Sequence, residues 1–418
     1  MRILFLSHYF PPEVNAPASR TFEHCREWVR LGHEVTIVTC APNHPRGQVY
    51  DGYRNRLFQR QEIEGINVIR VWTYLSANEG FIKRTINYVS FMVACVLAAP
   101  RMPKCDIVIS TSPQFFNGLA GFFVSRLKSA PWLLEIRDLW PESILAVGAI
   151  KNAAVIRGLR WLESFAYRKC DHIVPVTDAF RRHMLDMGIA ADKITVIKNG
   201  ASLDFYDPTS SDGGLRAELG LGGRFIAAYF GTHGMAHHLE TVLEAAAELQ
   251  DNERIVFLLV GDGAERVRLE QQLASMKLNN VMMLGQQPKA KMPALWAMSD
   301  VSLVLLRRTD LFKTVIPSKI FEAMAMAKPI IIGVEGESKE IVETAGAGIA
   351  IPPEDAGALA SAVTALAEDS DACESYGRNG KSYVHEYFDR KVLAKRYEGL
   401  LSDVAGSRDE QGMKRKAN

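Results

Sequence analysis

Short apolar runs alternate with helix-patterned stretches along almost the whole chain, and the alternation starts twice. In the first half, "RILFLSHYF", "HEVTIVTC", "CDIVIST", "PWLLEIRD" and "HIVPVT" are runs of the kind that parallel sheets bury. Helical patterns separate them, among them "SRTFEHCREWVRLG", closed by Gly32, and "AVIRGLRWLESFAYRKC". At "VIKNGASLDFYDPTSSDGGLRAELGLGG" Asn, Gly, Ser, Asp and Pro accumulate and mark a linker or domain boundary. The exchange then resumes through "RFIAAYFG", "RIVFLLVGDG", "VMMLG", "VSLVLL" and "KPIIIG". A single core rarely grows to serve 418 residues. The pattern predicts two doubly wound α/β domains, residues 1–205 and 206–384. A polar tail over 406–418 is expected to be disordered. Ligands of such sheets bind outside the carboxyl ends of the strands, so a cleft between the two domains is the expected site.

Charge and cysteine usage narrow the function. With 49 basic and 48 acidic residues the net charge is +1, which argues against bulk nucleic-acid binding. The six cysteines show no C-x-x-C and no Cys/His ligand spacing, as expected of reduced thiols in a cytosolic enzyme. "MRILFLSHYFPP" is broken too early by Pro11 and Pro12 to read as a signal peptide, and a cytoplasmic location is expected. "INYVSFMVACVLAAP", residues 86–100, is nearly all apolar and has Lys83, Arg84, Arg101 and Lys104 on its flanks. It is shorter than the ~20 residues needed to span a bilayer. Two readings stand: a buried core helix, or a helix lying in the membrane interface with 83–104 against anionic headgroups.

The loops after the strands carry the candidate chemistry. "HYFPPEVNAPASR" lacks the G-x-G-x-x-G of a dinucleotide-binding turn, which disfavours an NAD- or FAD-dependent enzyme. It does hold Glu13, Asn15 and, at the mouth of a helix, Arg20, which could either grip an anion or stay solvated. Gly231 and Thr232 follow one strand of the second half, Gly261-Asp262-Gly263 follow the next, and Gly285 the one after. Glycine there lets a ligand approach the backbone closely, although G-D-G also makes ordinary turns. His233, His237 and His238 look like a metal cluster but lack accompanying acidic or cysteine ligands. No metal is expected, and His237 is read as facing phosphate.

The segment "TVIPSKIFEAMAMAKPIIIG" gathers the strongest features. Pro317 has φ preset for a first helical turn, and Ser318 is expected to satisfy a free amide there. Free amides and the helix dipole favour an anion, and Lys319 adds a full charge. Glu322 can accept hydrogen bonds from the vicinal hydroxyls of a ribose. The competing reading is an internal Lys319–Glu322 pair, which on a surface contributes only ~0.2–0.5 kcal/mol. Burying two charges for that return is unfavourable, so a nucleoside diphosphate is the preferred partner.

With "FPP", "LGHEVTIVT", "VIKNGASLDFYDP", "VGDG", "NNVMMLGQQP" and "PSKIFEAMAMAKPII" in order, the chain resembles family 4 of the glycosyltransferases over residues 1–400. Within that family it looks most like the WbuB-like L-fucosamine transferases of O-antigen and capsule synthesis. The resemblance implies the GT-B fold, two Rossmann-like domains facing across a cleft, with 385–405 crossing back to the first. It implies a retaining transfer, without a metal or cofactor, from a UDP-sugar to a polyprenyl-diphosphate-linked saccharide, at the cytoplasmic face of the inner membrane. An epimerase or hydrolase of the same fold, acting without an acceptor, is the alternative. A non-catalytic binding protein is a further one.

Residue by residue, the match is incomplete. Of the family's E-x7-E pair only Glu322 remains, and Thr314 stands eight residues earlier. The family's phosphate-binding Arg and Lys fall on Thr232 and His237, leaving Lys319 part of that role and His237 or Arg307 the rest. The family's histidines fall near Thr111 and on Arg137. Asp138, next in line, and Glu13 are the candidates for contacts near the reacting hydroxyl. In a front-face retaining mechanism the leaving phosphate takes the acceptor's proton, so no separate base is required.

Overall fold

The computed structural model describes residues 1–44, 46–76, 81–112, 114–146 and 152–417. The chain divides into two compact units, Met1–Lys198 with Lys391–Asn418, and Asn199–Arg390.

Among the described residues, the first unit carries a seven-stranded sheet. In chain order the strands are β1 (Arg2–Leu6), β2 (Glu34–Cys40), β3 (Phe58–Ile63), β4 (Ile66–Val71), β5 (Ile107–Thr111), β6 (Trp132–Ile136) and β7 (His172–Pro175). Their order in the sheet is β3-β4-β2-β1-β5-β6-β7, parallel except for the antiparallel β3–β4 pair. That hairpin turns through Glu64 and Gly65, both at positive φ, the backbone a two-residue hairpin loop demands. Its alternating polar residues mark it as an edge, and only the apolar "INVIRV" half is buried.

Period-two alternation along the strands sorts side chains to two faces. Ile3 and Phe5 of β1 pack with Cys25 and Trp28 of α1 (Ala16–Arg30) and with Leu393, Tyr397 and Leu401 of the C-terminal helix. Leu4 and Leu6 pack on the other face with Phe91 and Cys95 of α2 (Phe81–Ala98) and Val124 of α3 (Phe115–Lys128). The same layer continues over β6 with Ala166 and Tyr167 of α4 (Ala153–Lys169). The apolar stretch 86–100 is therefore two-sided. Phe91 and Cys95 are buried, whereas Ile86, Val93 and Leu97 are exposed. The C-terminal helix runs Arg390–Ala417, so backbone helix covers the tail expected to be disordered. Six of the tail's thirteen residues are Glu, Gln, Lys or Arg, types with good helix propensity.

Among the described residues, the second unit has a six-stranded parallel sheet: β8 (Phe225–Phe230), β9 (Ile255–Val260), β10 (Val281–Leu284), β11 (Val301–Leu305), β12 (Ile330–Gly333) and β13 (Gly348–Ala350). The order is β10-β9-β8-β11-β12-β13. The direction of travel reverses between β8 and β11, which places the topological switch at the carboxyl ends of these two neighbours. α5 (Glu240–Glu248) and α6 (Arg266–Met276) pack beside Ala227, Tyr229 and Phe257. α7 (Lys319–Ala325) contributes Ile320, Phe321 and Met324 to the opposite layer. All six cysteines are free thiols.

Candidate active site

The turns after β8 and β9 are built into each other. Gly231 N donates to Val260 O at 3.0 Å, and Gly261 N donates to Leu284 O at 3.1 Å. Gly231 and Gly261 sit at φ 140° and 151°, where side chains are strained. A Cβ on Gly261 would lie 1.8 Å from Gly231 O, and one on Gly263 2.3 Å from His233 O. The glycines thus fix two backbone turns in direct contact. Asp262 Oδ1 accepts from Gly263 N at 2.8 Å, and Thr232 O accepts from the Tyr229 hydroxyl at 2.8 Å. Arg266 Nη1 donates to Gly261 O at 2.6 Å and to Leu284 O at 3.0 Å, tying the strand ends of β9 and β10 together. Gly285 follows directly and accepts from Gln287 Nε2 through its carbonyl.

Lys319 reaches into this corner from the start of α7. Its Nζ lies 3.5 Å from the centre of the Tyr229 ring, and a Cβ on Gly231 would stand 3.1 Å from it. The ammonium is buried and has no hydrogen-bond partner among the described residues, Glu322 included. Burial pulls its pKa down from 10.5 to about 7, and nearby Glu322 only partly opposes that. Its neighbours are poor counter-charges. Burial and Lys319 hold His237 at about 3, with Nδ1 3.4 Å from Leu305 O. Burial, Arg266 and Lys319 hold His233 at about 4. Both rings are therefore neutral at physiological pH. Arg307 Nε is also buried without a partner among the described residues, while Arg307 N bonds Ala236 O at 2.8 Å. Basic donors without a hydrogen-bonded partner among the described residues, at glycine-lined strand ends, form a site suited to a diphosphate.

Two expectations for this segment need adjustment. Ser318 makes no side-chain cap bond. At φ −58° and ψ −26° its backbone is already helical, and a capping hydroxyl needs an extended backbone. Thr314 turns its hydroxyl back onto Leu311 O at 2.6 Å, in the short turn before Pro317. Of the three histidines, His238 pairs through Nδ1 with the Thr241 hydroxyl at 3.0 Å. Among the described residues, the group of metal-ligating atoms that does converge is Glu142, Glu163 and His183, in the first unit.

In the first unit the predicted residues are buried or half-buried, and most of them bond to the protein itself. Arg20 is a correction. It is buried, pairs with Glu135 at 3.1 Å and donates to Ile197 O and Lys198 O at 3.0 and 2.8 Å. Its position in the second turn of α1 aims it at the sheet, so it braces the interior instead of an anion. Burial pushes the Glu135 carboxyl up, but Arg20, Arg137 and the Thr111 hydroxyl together hold it below its ordinary value. Thr111 reaches Glu135 at 2.8 Å. Asn15 caps α1 through Ala18 N at 2.9 Å. Glu13 accepts from Asn43 N, His44 N and Phe10 N, which pins the loops after β1 and β2. Burial still raises its pKa. Arg137 donates to Pro17 O at 3.1 Å. Asp138 faces a mostly apolar cavity with Phe115, Leu134, Trp140 and Tyr167, and burial lifts it to about 7.

Sequence reasoning missed Tyr229, Arg266 and His8. An arginine in the first turn of a helix works against the dipole, so Arg266 had a legible signal. Tyr229 and His8 had none. His8 is buried beside Tyr88, Phe91 and Asn87, and burial lowers it to about 4 against the opposing effect of Asn87.

Comparison with known proteins fixes the class. Residues 15–200 match the family described as "Glycosyl transferase 4-like domain", and residues 215–383 match "Glycosyl transferases group 1". The chain belongs to the family 4 glycosyltransferases of the GT-B fold, and it is an enzyme of that class. It is 27% identical over 417 residues to a protein of Escherichia coli K12 named as the colanic acid biosynthesis glycosyl transferase WcaI. That alignment covers 97% of this chain and 100% of the relative. It is also 28% identical to the Pseudomonas aeruginosa glycosyltransferase WbjE, over 64% of this chain and 68% of that one. Among solved structures, sucrose-phosphate synthase of Thermosynechococcus elongatus superposes with a TM-score of 0.77 at 18% identity, covering 97% and 99% of the two chains. Anabaena HepE with UDP-glucose superposes with a TM-score of 0.72 at 19% identity, covering 96% and 100%. At such identities these two report the fold.

Proposed function

We propose that this glycosyltransferase moves a sugar from a UDP-sugar onto a polyprenyl-diphosphate-linked saccharide during surface polysaccharide synthesis. The observation that carries the reading is Lys319, a buried amine with no hydrogen-bond partner among the described residues, beside the Gly231 and Gly261 turns. A diphosphate placed there supplies the missing anion, and Arg307 Nε offers a second donor. Glu322, four residues beyond Ser318, is assigned to the ribose hydroxyls. Relatives named for colanic acid synthesis, and a neighbour solved with UDP-glucose, support the substrate class. The relatives are named as transferases, which disfavours an epimerase or hydrolase acting without an acceptor.

In the proposed step the bond from the sugar's anomeric carbon to the β-phosphate oxygen breaks, and a bond to the acceptor oxygen forms. The acceptor's hydroxyl proton passes to the departing phosphate, whose charge Lys319 and Arg307 stabilise. Asp138, titrating near 7, and Glu13 are the acidic groups assigned to the acceptor side. The acceptor's lipid places the enzyme at the cytoplasmic face of the membrane.

The test is incubation with a panel of UDP- and GDP-sugars and a polyprenyl-diphosphate monosaccharide, read by mass spectrometry. Conversion of one UDP-sugar only when acceptor is present is expected. Consumption without acceptor, or none by folded protein, overturns the reading.

A further inference from the structure

Helices α2, α3 and α4 lie side by side on one face of the first sheet, and their outward surface has an unusual composition. Positions 83, 84, 126, 128, 157, 160, 168 and 169 of these helices are Lys or Arg. Their single acidic residue, Glu163, is buried. The chain as a whole is almost neutral, so this asymmetry is local.

The same surface is apolar. Ile82, Ile86, Val93 and Leu97 form one stripe along α2, with Ile82 73% and Leu97 70% exposed. Phe123 and Leu127 are exposed one turn apart on α3, and Trp161 is 66% exposed on α4. The patches are continuous. Trp161 stacks on Phe165 at 5.8 Å, Phe165 meets Phe122 at 5.1 Å, and Phe122 meets Phe123 at 5.3 Å. Met92 of α2 packs into the same cluster. A soluble monomer rarely leaves so broad an apolar surface open, and a predominantly basic rim, in which Glu142 pairs with Arg160 at 3.4 Å, selects what covers it.

We infer that this three-helix face docks on an anionic lipid bilayer. The 20-residue helical stretch Ile82–Arg101 is apolar enough to cross a membrane. However, Phe91 and Cys95 on its inner side belong to the protein core. The helix therefore lies in the plane of the interface, with Ile82, Ile86, Val93 and Leu97 among the acyl chains and basic side chains at the headgroups. The inner side of the same helix brings Tyr88 against His8 at the carboxyl end of β1. The inference deepens the lipid-linked reading of the acceptor and extends the contact surface well beyond α2.

Flotation of the full chain with phosphatidylcholine vesicles, with and without about 30% phosphatidylglycerol, tests it. Binding is expected only to the anionic vesicles, weakening steeply at about 0.5 M salt. Each basic residue near such a surface strengthens partition about 5-fold, so Lys83→Glu with Arg157→Glu lowers it at least about 25-fold. Ile82→Glu with Leu97→Glu should lower it at least about tenfold at any salt. All four positions are exposed, and unchanged circular dichroism and UDP affinity confirm that the variants fold. Wild-type protein that ignores phosphatidylglycerol, or variants that float as well as wild type, overturn the inference. So does light scattering that shows a dimer dissolved by Leu97→Glu with no vesicle binding. If vesicles are not bound but sugar is still transferred to a detergent-solubilised acceptor, only the docking fails. Vesicle binding without nucleotide binding leaves docking intact and removes the proposed reaction.

Discussion

If Lys319 holds the donor's diphosphate, binding must carry a proton with it. In the free protein burial brings this amine to about 7, from an ordinary 10.5. A pyrophosphate beside it restores the charged form and raises the pKa toward the ordinary value. Full restoration corresponds to at most about 5 kcal/mol, at 1.36 kcal/mol for each pKa unit. Between pH 7 and 8.5 the free amine loses its proton while the bound one keeps it, so Kd should rise about 15-fold. At pH 8 each binding event should take up about 0.9 proton. No neighbour competes in this window. His233 and His237 stay neutral, and burial keeps the Tyr229 hydroxyl well above its ordinary value. Calorimetry with UDP-glucose, whose diphosphate diester does not titrate there, would read both quantities from buffers of different ionisation enthalpy. Lys319→Met keeps the packed stem and should give a flat profile. A wild-type Kd that moves less than twofold, with buffer-independent enthalpy, would refute the assignment. Without ligand the sign on stability is opposite to that of a paired lysine. The native state binds fewer protons than the unfolded one between about 7 and 10.5, so the free protein gains stability as pH rises.

Further outcomes follow from other residues. Gly261→Ala forces a Cβ to 1.8 Å from Gly231 O at φ 151° and should cost at least about 2 kcal/mol, seen as a lower urea midpoint together with lost UDP binding. Arg20→Met strands Glu135 in the interior and should cost about 3–5 kcal/mol by urea unfolding. Glu135 titrates below its ordinary value, so that contribution is present above the unfolded pKa and disappears as pH falls through the folded one. Asp138 titrates near 7 instead of 3.8, so the wild type loses up to about 4 kcal/mol as pH rises through that interval. Asp138→Asn should match wild-type stability below pH ~4 and exceed it above pH ~7 in thermal melts. Glu322→Ala should weaken donor affinity by about 1.5–3 kcal/mol in calorimetry.

The parallel core strands were legible because burial on both faces leaves unbroken Val/Ile/Leu runs, as in "VSLVLL" and "KPIIIG". The β3–β4 hairpin escaped the reading because "FQRQEI" carries the polar alternation of an edge. Lys319 could be picked out because its charge sits in an apolar segment, a conflict visible in one dimension. Arg20 could not be assigned, since its partner Glu135 is more than a hundred residues away and only the β1–β5–β6 neighbourhood brings the two together. Ser318 has the identity of a cap but not its backbone, and identity is all that sequence supplies. The basic face of α2, α3 and α4 is spread over about ninety positions and becomes one surface only after the crossovers place those helices together.

The C-terminal helix has a consequence for how the chain is made. Trp28 is fully covered, donates through Nε1 to Ala394 O at 3.0 Å, and meets the Tyr397 ring edge-on at 5.2 Å. The first half of the polypeptide therefore leaves the ribosome with one wall of its interior missing. That wall is synthesised only after the whole second unit. A fragment ending at Lys198 should emerge as a sticky, chaperone-dependent intermediate, and a peptide spanning residues 391–405 supplied in trans should render it soluble.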